Sequence, residues 1–301
     1  MQKNTPKKKT EENVTKNKPS RKKRLLIVLL CIFIFIVNVL AVLQAGVMYT
    51  AASWEFWYPD YEKVNIEPLL KKANRTEEEY QTLYAQTGLT KTAIDDMLSE
   101  TNLLEENIQR ILEIQAVYFT PAELRSRCFN PFTYLDEIDI HTKLLRLRDG
   151  DIIVSATTRV SWFRYGHAAL VIDGDEETII ESIGPGTDSK TNSALTFCDL
   201  ANFLVLRPKV DKQTKSEVVA YARENLKGIP YRLTTGILYD KAPENIQVSQ
   251  CAHLVWYAYN RFGIDLDYNG GAIVKPQDMA LSDKVEVVQV YGFDPVKLWG
   301  E

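Results

Sequence analysis

Apolar and polar residues change their spacing along the chain, and each change predicts a different kind of structure. Residues 1–24 are polar and basic, whereas residues 25–43 are nineteen positions that carry no charge and are strongly apolar except for Asn38. A helix formed by this apolar run is long enough to cross the hydrocarbon core of a bilayer. We therefore expect a disordered cytoplasmic tail over 1–24 and a transmembrane helix over 25–48.

The next region, residues 49–140, has its apolar residues at helical spacing. Thr76 and Glu79 form a capping-box sequence at the start of one helix, and Gly88 is suited to end it. A later amphipathic stripe consists of Leu104, Ile108, Ile111 and Leu112. We expect these helices to form a membrane-proximal collar that packs on the domain that follows. The aromatic residues just before them, Trp54, Phe56, Trp57 and Tyr58, are predicted to lie as a belt at the membrane surface.

From Leu145 onward the apolar residues follow a period of two or form short runs, which is typical of strands. The predicted strands cover residues 151–156, 166–172, 178–183, 202–206 and 285–291. A tight turn at Asp173-Gly174-Asp175 joins the second and third of them into a hairpin. A helix is predicted over residues 214–227, and another begins near Cys251.

The helix near Cys251 places a cysteine in its first turn. Ser249 is the expected N-cap, and Leu254, Val255 and Ala258 lie on one apolar face. Unpaired backbone N–H groups and the helix dipole favour a thiolate at this position, and a thiolate is a nucleophile. Since a free cysteine is more often a buried space-filling residue, a catalytic role needs further support.

A thiolate nucleophile needs an imidazole to take and return protons, and the chain has three histidines. His253 follows Cys251 by two residues on the same helix, so the two side chains point to nearly opposite faces. His141 lies among polar and charged residues and resembles a surface residue. His167, in an apolar strand, is therefore the expected partner, and the histidine precedes the cysteine in the chain.

The hairpin supplies an acid for this histidine. If its turn has three residues centred on Gly174, then His167 lies directly opposite Glu181, at about 5 Å between their Cβ atoms. A turn of two residues would shift the register by one and separate them. Glu181 would then orient His167 toward Cys251. Tyr231 is either a hydroxyl donor to an oxyanion beside the Cys251 backbone N–H, or a packing aromatic.

Charge divides the chain into two environments. The whole chain has a net charge of −4, but residues 1–24 hold ten basic and two acidic residues, which leaves −12 for the rest. Basic residues end at Arg24 and resume only at Lys63, so the positive-inside rule places the N-terminus in the cytoplasm and residues 50–301 outside. The apolar run exceeds the usual core of a cleaved signal peptide. An acidic exterior domain also argues against nucleic-acid binding.

Four cysteines are present, at positions 31, 128, 198 and 251. Cys31 lies in the apolar run, and a disulfide between Cys128 and Cys198 is the pairing that would spare Cys251. Neither a C-x-x-C nor an H-x-x-x-H spacing occurs, so we expect no metal site and no cofactor.

Residues 146–291 resemble the circularly permuted branch of the NlpC-type papain-like superfamily, which includes the YiiX/YaeF-like proteins and the lecithin–retinol acyltransferase-like enzymes. The matching segments are Gly150-Asp151-Ile152-Ile153, Gly166-His167, Glu181, Gly228-Ile229-Pro230-Tyr231, Gln250-Cys251, Leu254-Val255-Trp256, Gly263-Ile264-Asp265-Leu266 and Lys275-Pro276-Gln277-Asp278. Members of this branch often have Ser-Glu after the cysteine, where this chain has Ala252-His253. The departure bears on substrate preference.

The resemblance implies an α+β, circularly permuted papain-like domain over residues 141–301, with nucleophile Cys251, base His167 and orienting acid Glu181. We expect a membrane-anchored, extracytoplasmic cysteine hydrolase of the amidase or peptidase type that acts through an acyl-enzyme on cell-wall peptides. A lipid acyl hydrolase or acyltransferase is the first alternative. A non-catalytic ligand-binding module of the same fold is the second. The expected partners are the lipid bilayer and a peptidoglycan peptide or lipid acyl substrate.

Overall fold

Helices and strands occur in groups along the chain, in the order that the apolar spacing predicts. The computed structural model describes residues 20–52, 56–126, 132–135, 142–160, 163–296 and 298. Within them the helices are α1 (Arg21–Ala52), α2 (Glu67–Leu70), α3 (Glu77–Thr87), α4 (Lys91–Ser99), α5 (Leu104–Tyr118), α6 (Lys212–Asn225), α7 (Cys251–Asn260) and α8 (Pro276–Ala280). The strands are β1 (Leu124–Ser126), β2 (Thr133–Leu135), β3 (Ile152–Ser155), β4 (Arg159–Val160), β5 (Phe163–Arg164), β6 (His167–Asp173), β7 (Thr178–Glu181), β8 (Lys190–Ser193), β9 (Phe203–Pro208) and β10 (Val285–Tyr291).

Helix α1 contains the apolar run. Its segment Arg21–Gly46 has a mean hydropathy of 3.3, and none of its most apolar stretch is buried. A helix of 26 residues with this composition is long and apolar enough to cross a membrane. The predicted helix of membrane-spanning length is therefore present.

Six strands form the central sheet, in the spatial order β10-β9-β3-β6-β7-β8. Every neighbouring pair in this sheet is antiparallel. An antiparallel sheet covered by helices is an α+β architecture, so the fold class is confirmed at this level. The edge strand β8 is not predicted from the sequence, because its side chains are mostly exposed and lack an apolar alternation.

Alternating residues of the sheet enter two different cores. Ile153 and Val171 pack with apolar residues of α3, α4 and α5, whereas Val154 and Leu170 pack with those of α6, α7 and α8. The sheet therefore lies between two layers of helices. Residues Gly46–Glu301 form one compact unit, in which the collar helices share a core with the sheet. The domain boundary at residue 140 stays a prediction.

Helix α3 has both of the end signals that its sequence predicts. Thr76 Oγ1 accepts from the Glu79 backbone N–H at 3.3 Å, and Glu79 Oε2 accepts from the Thr76 backbone N–H at 2.9 Å. Gly88 ends the helix with a φ of 70°. A Cβ at Gly88 would lie 2.1 Å from the carbonyl oxygen of Val290 in β10, so only glycine allows this close approach.

Two of the aromatic residues predicted to lie at the membrane surface pack against the core. Trp57 contacts Tyr118 of α5 with ring centroids 5.7 Å apart, and Phe56 contacts Tyr291 of β10 at 5.8 Å. Both are partly buried against the core that contains the collar helices. Partial burial does not exclude a place at the membrane surface, so the aromatic belt stays a prediction. Trp54 lies outside the described residues.

Candidate active site

Helix α7 presents Cys251 as its first residue, against the central sheet. Its N-cap is Gln250, whose side-chain oxygen accepts from the Ala252 backbone N–H at 2.9 Å. The prediction that Ser249 caps this helix is therefore wrong by one residue. The Gln250 amide also donates to the Val274 carbonyl at 2.6 Å, which fixes the cap. The Cys251 thiol points to the Gln250 oxygen at 3.4 Å.

The hairpin of β6 and β7 differs in register from the predicted one. Ala169, and not His167, lies opposite Glu181. The assumed three-residue turn centred on Gly174 is wrong, because residues 174–177 separate the two strands. The resulting shift of two residues preserves the alternation of side chains, so His167 and Glu181 stay on the same face.

His167 and Glu181 nevertheless meet, as diagonal rather than opposed neighbours. His167 Nε2 lies 2.7 Å from Glu181 Oε2. A carboxylate only accepts, so the Nε2–H group of His167 donates this hydrogen bond. Asn192 of β8 donates to the other oxygen of Glu181 at 2.7 Å. The orienting acid is therefore itself held in place.

The imidazole of His167 is fixed by aromatic rings as well as by Glu181. Phe197 stacks on it with centroids 5.5 Å apart and planes 17° apart, and Phe132 meets it edge-on at 5.4 Å. Its Nδ1 atom is buried and has no hydrogen-bond partner among the described residues. A buried ring nitrogen without a partner is costly, and at this position it is free to exchange a proton.

Cys251 and Glu181 both affect the pKa of His167. Burial lowers the pKa of His167, but a contact with Cys251 and the hydrogen bond to Glu181 outweigh it and raise the pKa to about 9. Burial raises the pKa of Glu181, and the interaction with His167 overcomes this effect, so the net shift is downward. These opposite shifts are those of a histidine that carries charge between a thiol and a carboxylate.

Tyr231 lies beside the start of α7. The backbone of Tyr231 pairs with Ser249, and the Arg232 N–H donates to the Ser249 carbonyl at 2.6 Å. Burial, followed by the charge of Cys251, raises the pKa of Tyr231 and raises that of the nearby Tyr165 to about 12. Both hydroxyls therefore stay protonated near the sulfur and are able to donate hydrogen bonds.

His253 has a separate, structural set of contacts. Its Nδ1 lies 2.8 Å from the Ser249 hydroxyl, and its Nε2 lies 2.8 Å from the Lys241 carbonyl. Burial lowers the pKa of His253 to about 4, so the ring is neutral. The inference that His253 does not partner Cys251 agrees with this arrangement, because both of its nitrogens are used elsewhere.

A cavity of about 290 Å³ adjoins the acid side of the imidazole. His167, Glu181, Asn192, Phe197 and Phe132 are among its lining residues, and Cys251 is not. The side chain of Cys251 is 2% exposed. Substrate access to the sulfur therefore requires a local movement of the side chains near it.

Several predicted features fall elsewhere. His141 and Cys128 lie outside the described residues, so the surface position of His141 stays a prediction. Cys198 is a free cysteine, so the predicted Cys128–Cys198 disulfide is wrong. Cys198 is buried, and burial raises the pKa of its thiol to about 11. Among the described residues, no group of three His, Cys, Asp or Glu side chains could hold a metal ion.

Sequence reasoning misses the residues that support the triad. Asn192 lies on the unpredicted edge strand, and Phe197 lies in a short 3-10 helix, Ala194–Asp199. Gln250 is adjacent to a stronger capping residue type, and no local sequence signal separates the two. No protein-family model, curated protein or solved structure matches the chain.

Proposed function

We propose that the chain is a cysteine hydrolase of the amidase or peptidase type, with nucleophile Cys251, base His167 and orienting acid Glu181. One observation carries the proposal. His167 is held by Glu181 through Nε2 at 2.7 Å, while its Nδ1 is buried without a hydrogen-bond partner among the described residues and its pKa responds to Cys251. A histidine that only stabilised a core would have both nitrogens paired, as His253 has.

The proposed reaction has two steps. In the first, the proton shared by Cys251 and His167 lies on His167, and the sulfur attacks the carbonyl carbon of an amide. The carbon–nitrogen bond breaks, the amine leaves with the proton from His167, and an acyl-enzyme remains. In the second, His167 takes a proton from water and the resulting hydroxide adds to the acyl carbon. The carbon–sulfur bond breaks, the acid leaves, and the proton on His167 is again shared with the Cys251 sulfur.

The negative oxygen formed in each step needs donors. The backbone N–H of Cys251 has no hydrogen-bond acceptor in the described part of the chain, and the protonated hydroxyl of Tyr231 lies near the sulfur. Two donors in a buried site stabilise an oxyanion strongly, because water does not compete there. We assign this role to them.

The proposed fold is a circularly permuted papain-like domain, anchored outside the cytoplasm by α1. The order of a histidine strand, an acid strand and then a cysteine helix supports the fold. The membrane-length apolar helix and the basic residues from Arg21 to Arg24 support a single-pass anchor with a cytoplasmic N-terminus. Cell-wall peptides are then the accessible amide substrates.

Trapping of the acyl-enzyme tests the proposal. The full chain in detergent is incubated with peptidoglycan peptides and, separately, with lipid esters, and is quenched in acid for mass spectrometry. We expect the acyl mass on Cys251 with the peptides. Cys198 is the matched control within the chain, because its side chain is equally buried and its thiol pKa is raised to about 11.

The outcome separates the candidate functions. An adduct on Cys251 that disappears in His167→Ala supports the hydrolase. Equal modification of Cys198 and Cys251, or none at either, contradicts it. Retained binding of the peptides without an adduct would instead favour a non-catalytic ligand-binding module.

One observation favours the second candidate, a lipid acyl hydrolase or acyltransferase. The loop after Tyr231 exposes Ile237 by 60% and Leu238 by 75%. The loop is ordered by its own bonds, since the Leu238 N–H donates to the Thr234 carbonyl at 3.0 Å and the Gly236 N–H donates to the Tyr239 carbonyl at 2.9 Å. Exposed apolar residues held in a fixed loop are suited to contact lipid.

The double substitution Ile237→Asp and Leu238→Asp tests this candidate. It should lower the rate of adduct formation with vesicle-bound lipid esters, because charged residues do not enter an apolar surface. A water-soluble peptide substrate should react as before. An unchanged rate with the vesicles would remove the support that this loop gives.

A further inference from the structure

Arg159 is a buried arginine with one guanidinium nitrogen that has no hydrogen-bond partner among the described residues. It begins β4 and is 4% exposed, its Nη2 atom has no hydrogen-bond partner, and no carboxylate forms an ion pair with it among the described residues. Burial lowers the pKa of its guanidinium. An arginine stays charged in proteins, so its burial without an ion-pair partner among the described residues is costly.

A second buried arginine provides the contrast. Arg207 is 6% exposed, and its guanidinium donates to both oxygens of Asp151, at 2.9 and 2.7 Å, and to Asp96 at 2.6 Å. Buried charges in proteins are normally paired in this way. What Arg159 lacks is therefore an anion.

The position of Arg159 connects it to the nucleophile. The carbonyl of the preceding residue, Thr158, accepts from the backbone N–H groups of Tyr165 and Gly166 at 3.1 and 3.2 Å. The Gly166 carbonyl in turn lies 3.9 Å from the Cys251 sulfur. Arg159 therefore directly follows a residue, Thr158, that is hydrogen-bonded to the segment in contact with the thiol.

Two further groups add to the anion-binding character of this place. The Thr158 hydroxyl is buried and has no hydrogen-bond partner among the described residues. Arg164 lies directly opposite Arg159 in the pairing of β4 with β5 and is exposed.

We propose that Arg159, with Thr158, binds an anionic oxygen group of the substrate near the segment that contacts Cys251. The buried cation alone supports an anion at this position. That the anion belongs to a substrate rests on the proposed function. The recognised chemistry is a singly charged oxyanion, which a peptide carboxylate and a lipid phosphodiester both supply. Guanidinium forms its strongest hydrogen bonds with such oxygens.

Thermal unfolding of the full chain in detergent tests the anion site without any need for turnover. The probes are acetate and dimethyl phosphate, each added at constant ionic strength. We expect the matching probe to raise Tm by about 2–4 °C. In Arg159→Gln this rise should disappear, while Tm without the probe should be unchanged or higher, because an unpaired buried charge has been removed.

Two control variants define the result. Arg223→Gln removes a half-exposed arginine paired to Asp173 at 3.1 Å and should keep the response to the probe. Arg207→Gln breaks a paired buried cation and should lower Tm. If Arg159→Gln lowers Tm as Arg207→Gln does, or if the response to both probes survives in it, the anion site is wrong.

Turnover then connects the site to the substrate. Peptide substrates with a free carboxylate are compared with their amidated forms, and phosphodiester lipids with uncharged lipid esters. Arg159→Gln should remove about a 10- to 100-fold preference in kcat/KM for the anionic member of one pair, and Arg159→Lys should restore part of it. Equal rates for both members in the wild type would contradict the inference. Absence of turnover with every substrate would contradict the proposed function, and the Tm measurements would still decide the anion site.

Discussion

Buried polar groups are paired at one end of the central sheet and include unpaired atoms at the other. At one end, Asp151 precedes β3 and Arg207 lies near the end of β9, and their charges are paired. At the other end lie His167 and Arg159, each with a buried nitrogen that has no hydrogen-bond partner among the described residues. The same strands connect these two places, so the difference arises from side chains and not from the backbone.

The paired end is built for stability. Asp151 is fully buried, and its oxygens accept from Arg207 and from the Arg148 backbone N–H at 3.0 Å. Tyr259 of α7 donates to the adjacent Gly150 carbonyl at 2.5 Å. A buried ion pair whose remaining lone pairs are used in this way offsets its own desolvation.

The opposite end keeps polar atoms unpaired. Besides the nitrogens of His167 and Arg159, the Thr158 and Ser182 hydroxyls and the Asn202 amide nitrogen are buried without hydrogen-bond partners in the described part of the chain. Unpaired buried groups each cost about 1–3 kcal/mol. This group of unpaired atoms lies at the end of the sheet where we propose that substrate binds, and it lowers stability there.

The largest effect should come from breaking the paired end. In Asp151→Asn, the carboxylate that receives Arg207 is lost, and the arginine becomes a buried cation with one partner fewer. We expect the free energy of unfolding to fall by about 3–5 kcal/mol. Chemical unfolding of the full chain in detergent measures the change.

The same substitution at an exposed pair is its control. Asp173→Asn removes the half-exposed partner of Arg223, and the loss should stay below about 1 kcal/mol. If the two substitutions destabilise the chain equally, the paired end has no special weight, and the contrast between the two ends of the sheet fails.

The features that depend on residues close together in the chain could be predicted from the sequence. The capping box at Thr76 and the apolar strands β3, β6, β7, β9 and β10 depend on neighbouring residues, and their predictions agree with the structure. The pairing of His167 with Glu181 was inferred through a wrong register. It survives because a shift of two residues leaves side chains on the same face.

The unpredicted parts depend on contacts between distant segments. Asn192 supports Glu181 from an exposed edge strand, where nothing in the sequence marks a polar residue as functional. Arg159 lies in a stretch that reads as an irregular loop. Only its burial with a guanidinium nitrogen that has no hydrogen-bond partner among the described residues, which is a property of the folded chain, distinguishes it from other arginines.

The next largest effect concerns the reactivity of the site end. In His167→Ala, the base that removes the Cys251 proton is absent, and alkylation of Cys251 by iodoacetamide at neutral pH should slow by about 100-fold or more. Mass spectrometry of the modified cysteine gives the rate. Replacement of the other buried histidine, His253→Gln, is the control and should leave the rate within a few-fold. Equal rates in wild type and His167→Ala would make Cys251 an ordinary thiol.

The smallest effect is a change in the pKa of His167. It separates the contribution of Glu181 to the charge on His167 from that of Cys251. In Glu181→Gln the hydrogen bond can persist but the negative charge is gone, so the pKa of His167 should fall from about 9 by about 1–2 units. NMR of the histidine ring protons measures it, with His253, at about 4, as the internal reference. Asn192→Ala, which keeps the charge of Glu181, should shift the pKa less.

The same shift determines how stability depends on pH. The folded pKa of His167 lies above its ordinary 6.5, so its contribution is complete below pH 6.5 and is lost as the pH rises toward about 9. In Glu181→Gln that loss should be complete at a lower pH, because the folded pKa is lower. Glu181 itself has a lowered pKa, so its contribution is present above 4.5 and falls away below it. If His167 titrates at the same pH in both proteins, Cys251 alone sustains its charge, and Glu181 belongs to the packing of this end of the sheet rather than to its chemistry.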